Sequence, residues 1–222
     1  MKELTLILAL SVSCCIPAEA DTIAYVVPVG TIGNQLLPAG QAQSLGMDFD
    51  VNSGIVITGL GVFDSGGDGL RSPLTAHIYD RDTRISLAQL TFTPANPGNL
   101  IGGSRFLPLA VPLQLLPGFH GVIAVDYVNS MNELNGNLRV SSGGWTTDSG
   151  GGLISFVGSG RHGLMGAGAG FPDIIETACP ANCYAAGTFQ FVPVPEPSTW
   201  LLLAVGGALA WLRGLRAGRQ SP

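Results

Sequence analysis

Leu74-Thr75-Ala76-His77-Ile78-Tyr79 alternates, with Leu74, Ala76 and Ile78 on one face and Thr75, His77 and Tyr79 on the other. A period of two is the mark of a strand with one buried face. Gly121-Val122-Ile123-Ala124-Val125-Asp126-Tyr127 is apolar on both faces, as a central strand is. Outward from these two, similar runs recur at Ile23–Val29, Leu45–Val51, Ile55–Phe63, Ile85–Phe92, Phe106–Leu109, Leu113–Leu115, Leu138–Val140, Leu153–Val157 and Thr188–Val192. Turn residues fall between them, at Asp64-Ser65-Gly66-Gly67-Asp68-Gly69, Pro94–Gly98 and Pro117-Gly118. The chain of 222 residues holds 32 Gly and 15 Pro and is only 11% charged, which suits strands punctuated by turns. The pattern predicts one all-β domain over residues 21–193, a single β-sandwich of jelly-roll-like form with a sizeable core. Within it, Gly143–Gly170 is rich in Gly and Ser and reads as a long, loosely ordered loop around Leu153–Val157.

The N-terminus reads as an export signal over residues 1–20. Lys2 precedes a mainly apolar run, Leu4 to Ile16, and Ala18-Glu19-Ala20 fits a small-x-small cleavage site, so the mature chain starts at Asp21. The run is well short of the ~20 residues that a membrane span needs. Sec export and signal peptidase are the implied partners. A lipidated Cys14 or Cys15 is the rival, but Ser11-Val12-Ser13 lacks the lipobox order. Cys179 and Cys183 then remain as a disulfide candidate, closing a small ring before the last strand. Two thiols without a nearby histidine make half a zinc site.

The C-terminus, residues 194–219, has three parts. Pro195, Glu196, Pro197 and Ser198 come first, then an apolar helix over 199–212, then Arg213, Arg216 and Arg219. The prolines stop the helix from propagating toward the domain and keep the segment extended. Fourteen residues give about 21 Å of helix against a ~30 Å bilayer core. Extension to Ser198–Leu215 gives about 27 Å if Arg213 snorkels. Trp200 and Trp211 suit the two interfaces, and the arginines put the tail in the cytoplasm and the body outside.

Pro195-Glu196-Pro197-Ser198-Thr199, the helix and the tail Arg213-Gly214-Leu215-Arg216-Ala217-Gly218-Arg219 together resemble the PEP-CTERM sorting signal. The resemblance implies an exosortase, a membrane-embedded cysteine transpeptidase, that cuts near the Pro-Glu-Pro. It also implies a Gram-negative host that makes extracellular polysaccharide. Leu45-Gly46-Met47-Asp48-Phe49, followed by Ile57 to Asp64, resembles the sandwich ectodomains of other PEP-CTERM proteins and implies no activity.

Chemistry is sparse in the body. Gly158-Ser159-Gly160-Arg161-His162-Gly163 has the letters of a dinucleotide fingerprint, but the residues that follow are too rich in glycine for the helix it requires. Ser65 and Ser149 sit in protease-like letters, yet His77, His120 and His162 carry no accompanying motif. Asp64, Asp68 and Asp80 are the metal candidates, as carboxylates and turn carbonyls suit Ca2+; Asp and Gly also serve turn geometry alone. Tyr79, Tyr127 and Trp145 are available aromatics for polysaccharide. An acidic chain of net charge −5 with one basic cluster argues against nucleic acid. The expectation is an exported, non-enzymatic surface or matrix protein without a cofactor, in contact with exopolysaccharide. The alternative is a secreted hydrolase or a Ca2+-dependent carbohydrate-binding module.

Overall fold

The computed structural model describes residues 20–33, 42–128, 144–163, 170–177, 182, 184–194 and 207. Its strands are β1 (Thr22–Ile23), β2 (Tyr25–Val26), β3 (Ala42–Val51), β4 (Ile55–Phe63), β5 (Leu74–Asp80), β6 (Ser86–Phe92), β7 (Asn99–Ile101), β8 (Ser104–Leu115), β9 (His120–Val128), β10 (Thr146–Thr147), β11 (Ile154–His162), β12 (Ile174–Ile175) and β13 (Gly187–Pro193). One sheet has the order β1-β13-β4-β8-β7, a second β12-β11-β3-β9-β5-β6, and β10 and β2 form a short ribbon. Every strand pair is antiparallel. The described chain is all-β.

Both large sheets feed one core. Leu74, Ala76 and Ile78 on β5 and Ile123 and Val125 on β9 are buried with Ile57 and Leu60 on β4 and Phe189 and Phe191 on β13. Phe49 on β3 meets Phe189 across the sheets, with ring centroids 4.8 Å apart. Each such side chain contributes about 1.5–3 kcal/mol by leaving water. Opposite Phe49, Gly121 leaves room for the ring: a Cβ there would stand 2.3 Å from it.

The other face of β9 is also covered. Val122 and Ala124 are buried with Tyr79 under the partly buried Phe171. This is why the strand is apolar on both sides.

Several local expectations change. Phe106–Leu109 and Leu113–Leu115 are one strand, β8, whose register shifts against β4 between Ile57 and Gly59. That irregularity accommodates Pro108 and Pro112. Ile23–Val29 is split between β1, which pairs with β13, and β2, which pairs with β10. The glycine-rich stretch is firmer than its composition suggests. β11 continues to His162 through a bulge between Val157 and Arg161, with Gly158 at φ 70°, and Trp145 is buried against Tyr25. Leu138–Val140 lies outside the described residues.

Candidate functional site

Three regions carry the candidate chemistry. The first is the junction at the end of β13. This strand lies between β1 and β4, its aromatic residues are buried, and the Val194 amide donates to the Gly54 carbonyl at 2.9 Å. Beyond Val194 the chain enters Pro195, Glu196, Pro197 and Ser198. These residues, the helix over 199–212 apart from Gly207, and Arg213, Arg216 and Arg219 lie outside the described residues. Residues 1–19 and both Cys179 and Cys183 lie outside them as well. Gly207 is helical. Among the described residues no helix is long and apolar enough to cross a membrane.

The second region is the acidic turn. Asp64 is fully buried, and the Arg105 Nε donates to its Oδ2 at 2.7 Å. The Gly69 amide donates to the same carboxylate, and Arg105 Nη2 donates to the Gly67 carbonyl. Asp68 pairs instead with the exposed Arg71 at 3.2 Å. Asp80 closes β5, at the end away from Leu74. Its Oδ1 accepts the amides of Asp82 and Thr83 at 2.8 and 3.0 Å. The Thr83 amide above all, together with that of Asp82, holds the Asp80 carboxyl below its ordinary value against the opposing effect of burial. The three aspartates thus have separate partners. Among the described residues no group of three or more His, Cys, Asp or Glu side chains is arranged to hold a metal. The two flagged serines serve turns: Ser65 Oγ accepts the Gly33 amide and Ser149 Oγ the Gly152 amide.

The third region, on the outer face of the six-stranded sheet, was not foreseen. His77 on β5 stands between Ser86 of β6 and Asp126 of β9. Its Nδ1 lies 3.1 Å from Ser86 Oγ and its Nε2 3.1 Å from Asp126 Oδ2. The approach to Asp126 is short but poorly aligned for a hydrogen bond, since that buried oxygen has no well-directed donor. Asp126 Oδ1 accepts the Gly170 amide, and the His77 ring stacks on Tyr79 with centroids 5.0 Å apart. Burial first, and the Asp126 charge second, push the Tyr79 phenol up to about 12.

Beside this line, Asp48 pairs with Arg161 and Arg81, and Arg81 also reaches Asp50 at 2.9 Å. Residues 170–177 lie across the face. Phe171 packs edge-on to Tyr79, and the guanidiniums of Arg84 and Arg161 lie 5.6 and 5.5 Å from its ring centroid. Arg84 pairs with Asp173, and Ser159 Oγ donates to the Glu176 carbonyl.

Ser86, His77 and Asp126 escaped the sequence reading because they sit on three strands, at positions diagonal to one another across the pairs Tyr79↔Ser86 and His77↔Ala124. Chemically, the imidazole bridges an exposed hydroxyl and a buried carboxylate, with Ser86 Oγ also able to donate to the Ala88 carbonyl at 3.3 Å. The aromatics expected for polysaccharide need correction. Tyr79 and Trp145 are buried, because Phe171 covers the first and Tyr25 packs on the second. The Tyr127 side chain lies outside the described part.

Comparison with known families matches residues 193–219 to the PEP-CTERM protein-sorting motif. No curated protein matches the chain. The match begins at Pro193, the last residue of β13, so the last described strand ends where the signal starts. The motif implies export, C-terminal anchoring in the membrane and exosortase as the processing partner. The chain therefore carries a match to the PEP-CTERM sorting motif directly behind the last described strand of an all-β body.

Proposed function

We propose that this is a non-enzymatic surface or matrix protein of a Gram-negative cell, delivered by Sec and signal peptidase and then released or transferred by exosortase. The single observation that carries the reading is the sorting motif at residues 193–219, joined without a linker to β13. The body is read as a β-sandwich of jelly-roll-like kind, supported by two antiparallel sheets with buried residues in one core. Residues 199–212 are the anchoring helix and the arginines its cytoplasmic stop. Contact with exopolysaccharide belongs to this proposal and, with Tyr79 and Trp145 buried, would use polar groups rather than an aromatic strip.

Fractionation of cells with and without exosortase tests the sorting half. With the enzyme the body leaves the inner membrane and loses its tail. Unchanged size and location in both strains would refute it. A glycan array with the extracellular polysaccharide tests the contact.

A second reading, secreted hydrolase, is favoured by the Ser86-His77-Asp126 line alone. Its serine lies on Nδ1 and its carboxylate on Nε2, and the serine is exposed at the start of an edge strand. Labelling by a fluorophosphonate that disappears in Ser86→Ala would establish it over the first reading.

A further inference from the structure

The strand ends of the five-stranded sheet line up where the sorting signal leaves. Pro193 pairs with Ile55, and Ile55 pairs with Leu115. β1 runs antiparallel on the other side of β13, with Thr22 opposite Phe191, so Asp21 is level with Val192. The Asp21 carboxylate accepts from Thr58 Oγ1 at 2.9 Å, and the Ala24 amide donates to the Phe189 carbonyl. The expected start of the mature chain and the start of the sorting signal therefore sit side by side, on adjacent strands about 5 Å apart.

The same end gathers the turns of both sheets. The Val51 amide donates to the Phe119 carbonyl, the Gly118 amide to Val51, and the Asn52 amide to Leu153. Asp80 stands opposite Gly121 at the start of β9, which brings the β5–β6 turn here too. At this end Leu116, next to Leu115 and just before the Pro117-Gly118 turn, has 65% of its surface exposed. The acidic turn lies at the opposite end, where Phe63 pairs with Ser104. β4 has nine residues, about 30 Å of strand, between the two ends.

The tethers are short. Pro195 to Ser198 is four residues, at most about 14 Å when extended, and Pro17 to Ala20, before leader cleavage, is the same. Leu116 is two strand spacings from β13, or about 10 Å. A chain held by a helix starting near Thr199 cannot carry this end far from the bilayer.

We infer that leader and sorting signal leave the domain from one end, and that this end, where Leu116 is exposed, is the lipid-facing surface of the anchored chain. Both peptidases then act on the same end, and the acidic turn points away from the membrane. The inference rests on anchoring by residues 199–212.

The full chain is reconstituted in phosphatidylcholine vesicles, a neutral surface chosen because Asp21 and Asp82 share this end with Arg84. An azide-bearing amino acid replaces Leu116 or Asp68 and is coupled to an environment-sensitive fluorophore, and lipids with nitroxide headgroups supply the quencher. Quenching at position 116 is expected to exceed that at position 68 at least threefold. Ten Gly and Ser residues inserted between Val194 and Pro195, about 17 Å of added reach, are expected to bring the two values together. Equal quenching without the insert, or no effect of the insert, overturns the inference. A chain that fails to float with the vesicles refutes the anchoring itself, and the inference with it.

Discussion

Arg105→Met isolates a buried ion pair, that of Arg105 with Asp64. Asp64 is fully buried, and the Arg105 side chain is 17% exposed. Methionine keeps most of the stem but removes the Nε donor at 2.7 Å and the Nη2 bond to the Gly67 carbonyl. The Gly69 amide still reaches the carboxylate, but a buried charge is left without its counter-charge. Breaking such a pair from one side costs about 3–5 kcal/mol. The exposed edge of Arg105 admits water, which places the expected loss near the lower bound, about 3 kcal/mol. A body of roughly 170 residues has an unfolding entropy near 0.36 kcal/mol/K, so the midpoint should fall by about 8 °C.

The assay is thermal unfolding of the full chain in detergent, followed by near-ultraviolet circular dichroism. Asp64→Asn on top of Arg105→Met should recover most of the loss, because the variant no longer buries a charge. A fall of under about 2 °C for Arg105→Met, or a double variant worse than the single one, would refute the reasoning that the acidic turn is held by this pair.

Three further outcomes are expected. Gly121→Ala pushes a methyl into the Phe49 ring, which Phe189 and Phe119 back at 4.8 and 6.4 Å; the cost is about 2–3 kcal/mol, read in the same unfolding assay. Addition of millimolar Ca2+ leaves the midpoint within about 1 °C, since Asp64, Asp68 and Asp80 answer to different partners, whereas a site filled to a hundred times its Kd would add about 2.7 kcal/mol. Burial lifts the Tyr79 and Tyr184 phenols to about 12, and burial first and the Asp48 charge second raise Tyr25 well above its ordinary value. A phenol whose folded pKa is raised holds its proton more tightly in the folded state. Stability from this source is therefore full below about pH 10 and is lost as pH climbs from 10 through 12. Absorbance at 295 nm should show Tyr79 and Tyr184 ionising near pH 12 in the folded protein; ionisation near pH 10 in the native state would contradict their burial.

How much of this could be read from the chain depends on how local the cause is. Leu74 to Tyr79 carries its fold in its own alternation, and β5 follows it with one residue added. Ile55–Phe63 matches β4 at both ends. The sorting signal is equally legible, because Pro195, Glu196, Pro197 and the apolar run after them are contiguous. Prolines misled where a bulge excused them, as Pro108 and Pro112 do inside β8. Glycines misled where the ladder bulged, as Gly158 and Gly160 do inside β11. β7 and β12, three and two residues, have no pattern of their own and exist because a longer strand pairs with them; β10 is paired only with the equally short β2. The Ser86-His77-Asp126 line and the Asp64–Arg105 pair arise from register, with 41 positions between the latter two in sequence, and no spacing rule reaches that far.

The central claim is that the folded body ends at the sorting signal and is cut there. Intact mass of the mature protein, taken from the surface or medium of cells with exosortase, tests it most directly. The account predicts a chain that begins at Asp21 and ends near Pro195-Glu196-Pro197, alone or with a covalent addition, and without the helix and Arg213, Arg216 and Arg219. A mass that retains those arginines in exosortase-bearing cells would contradict it.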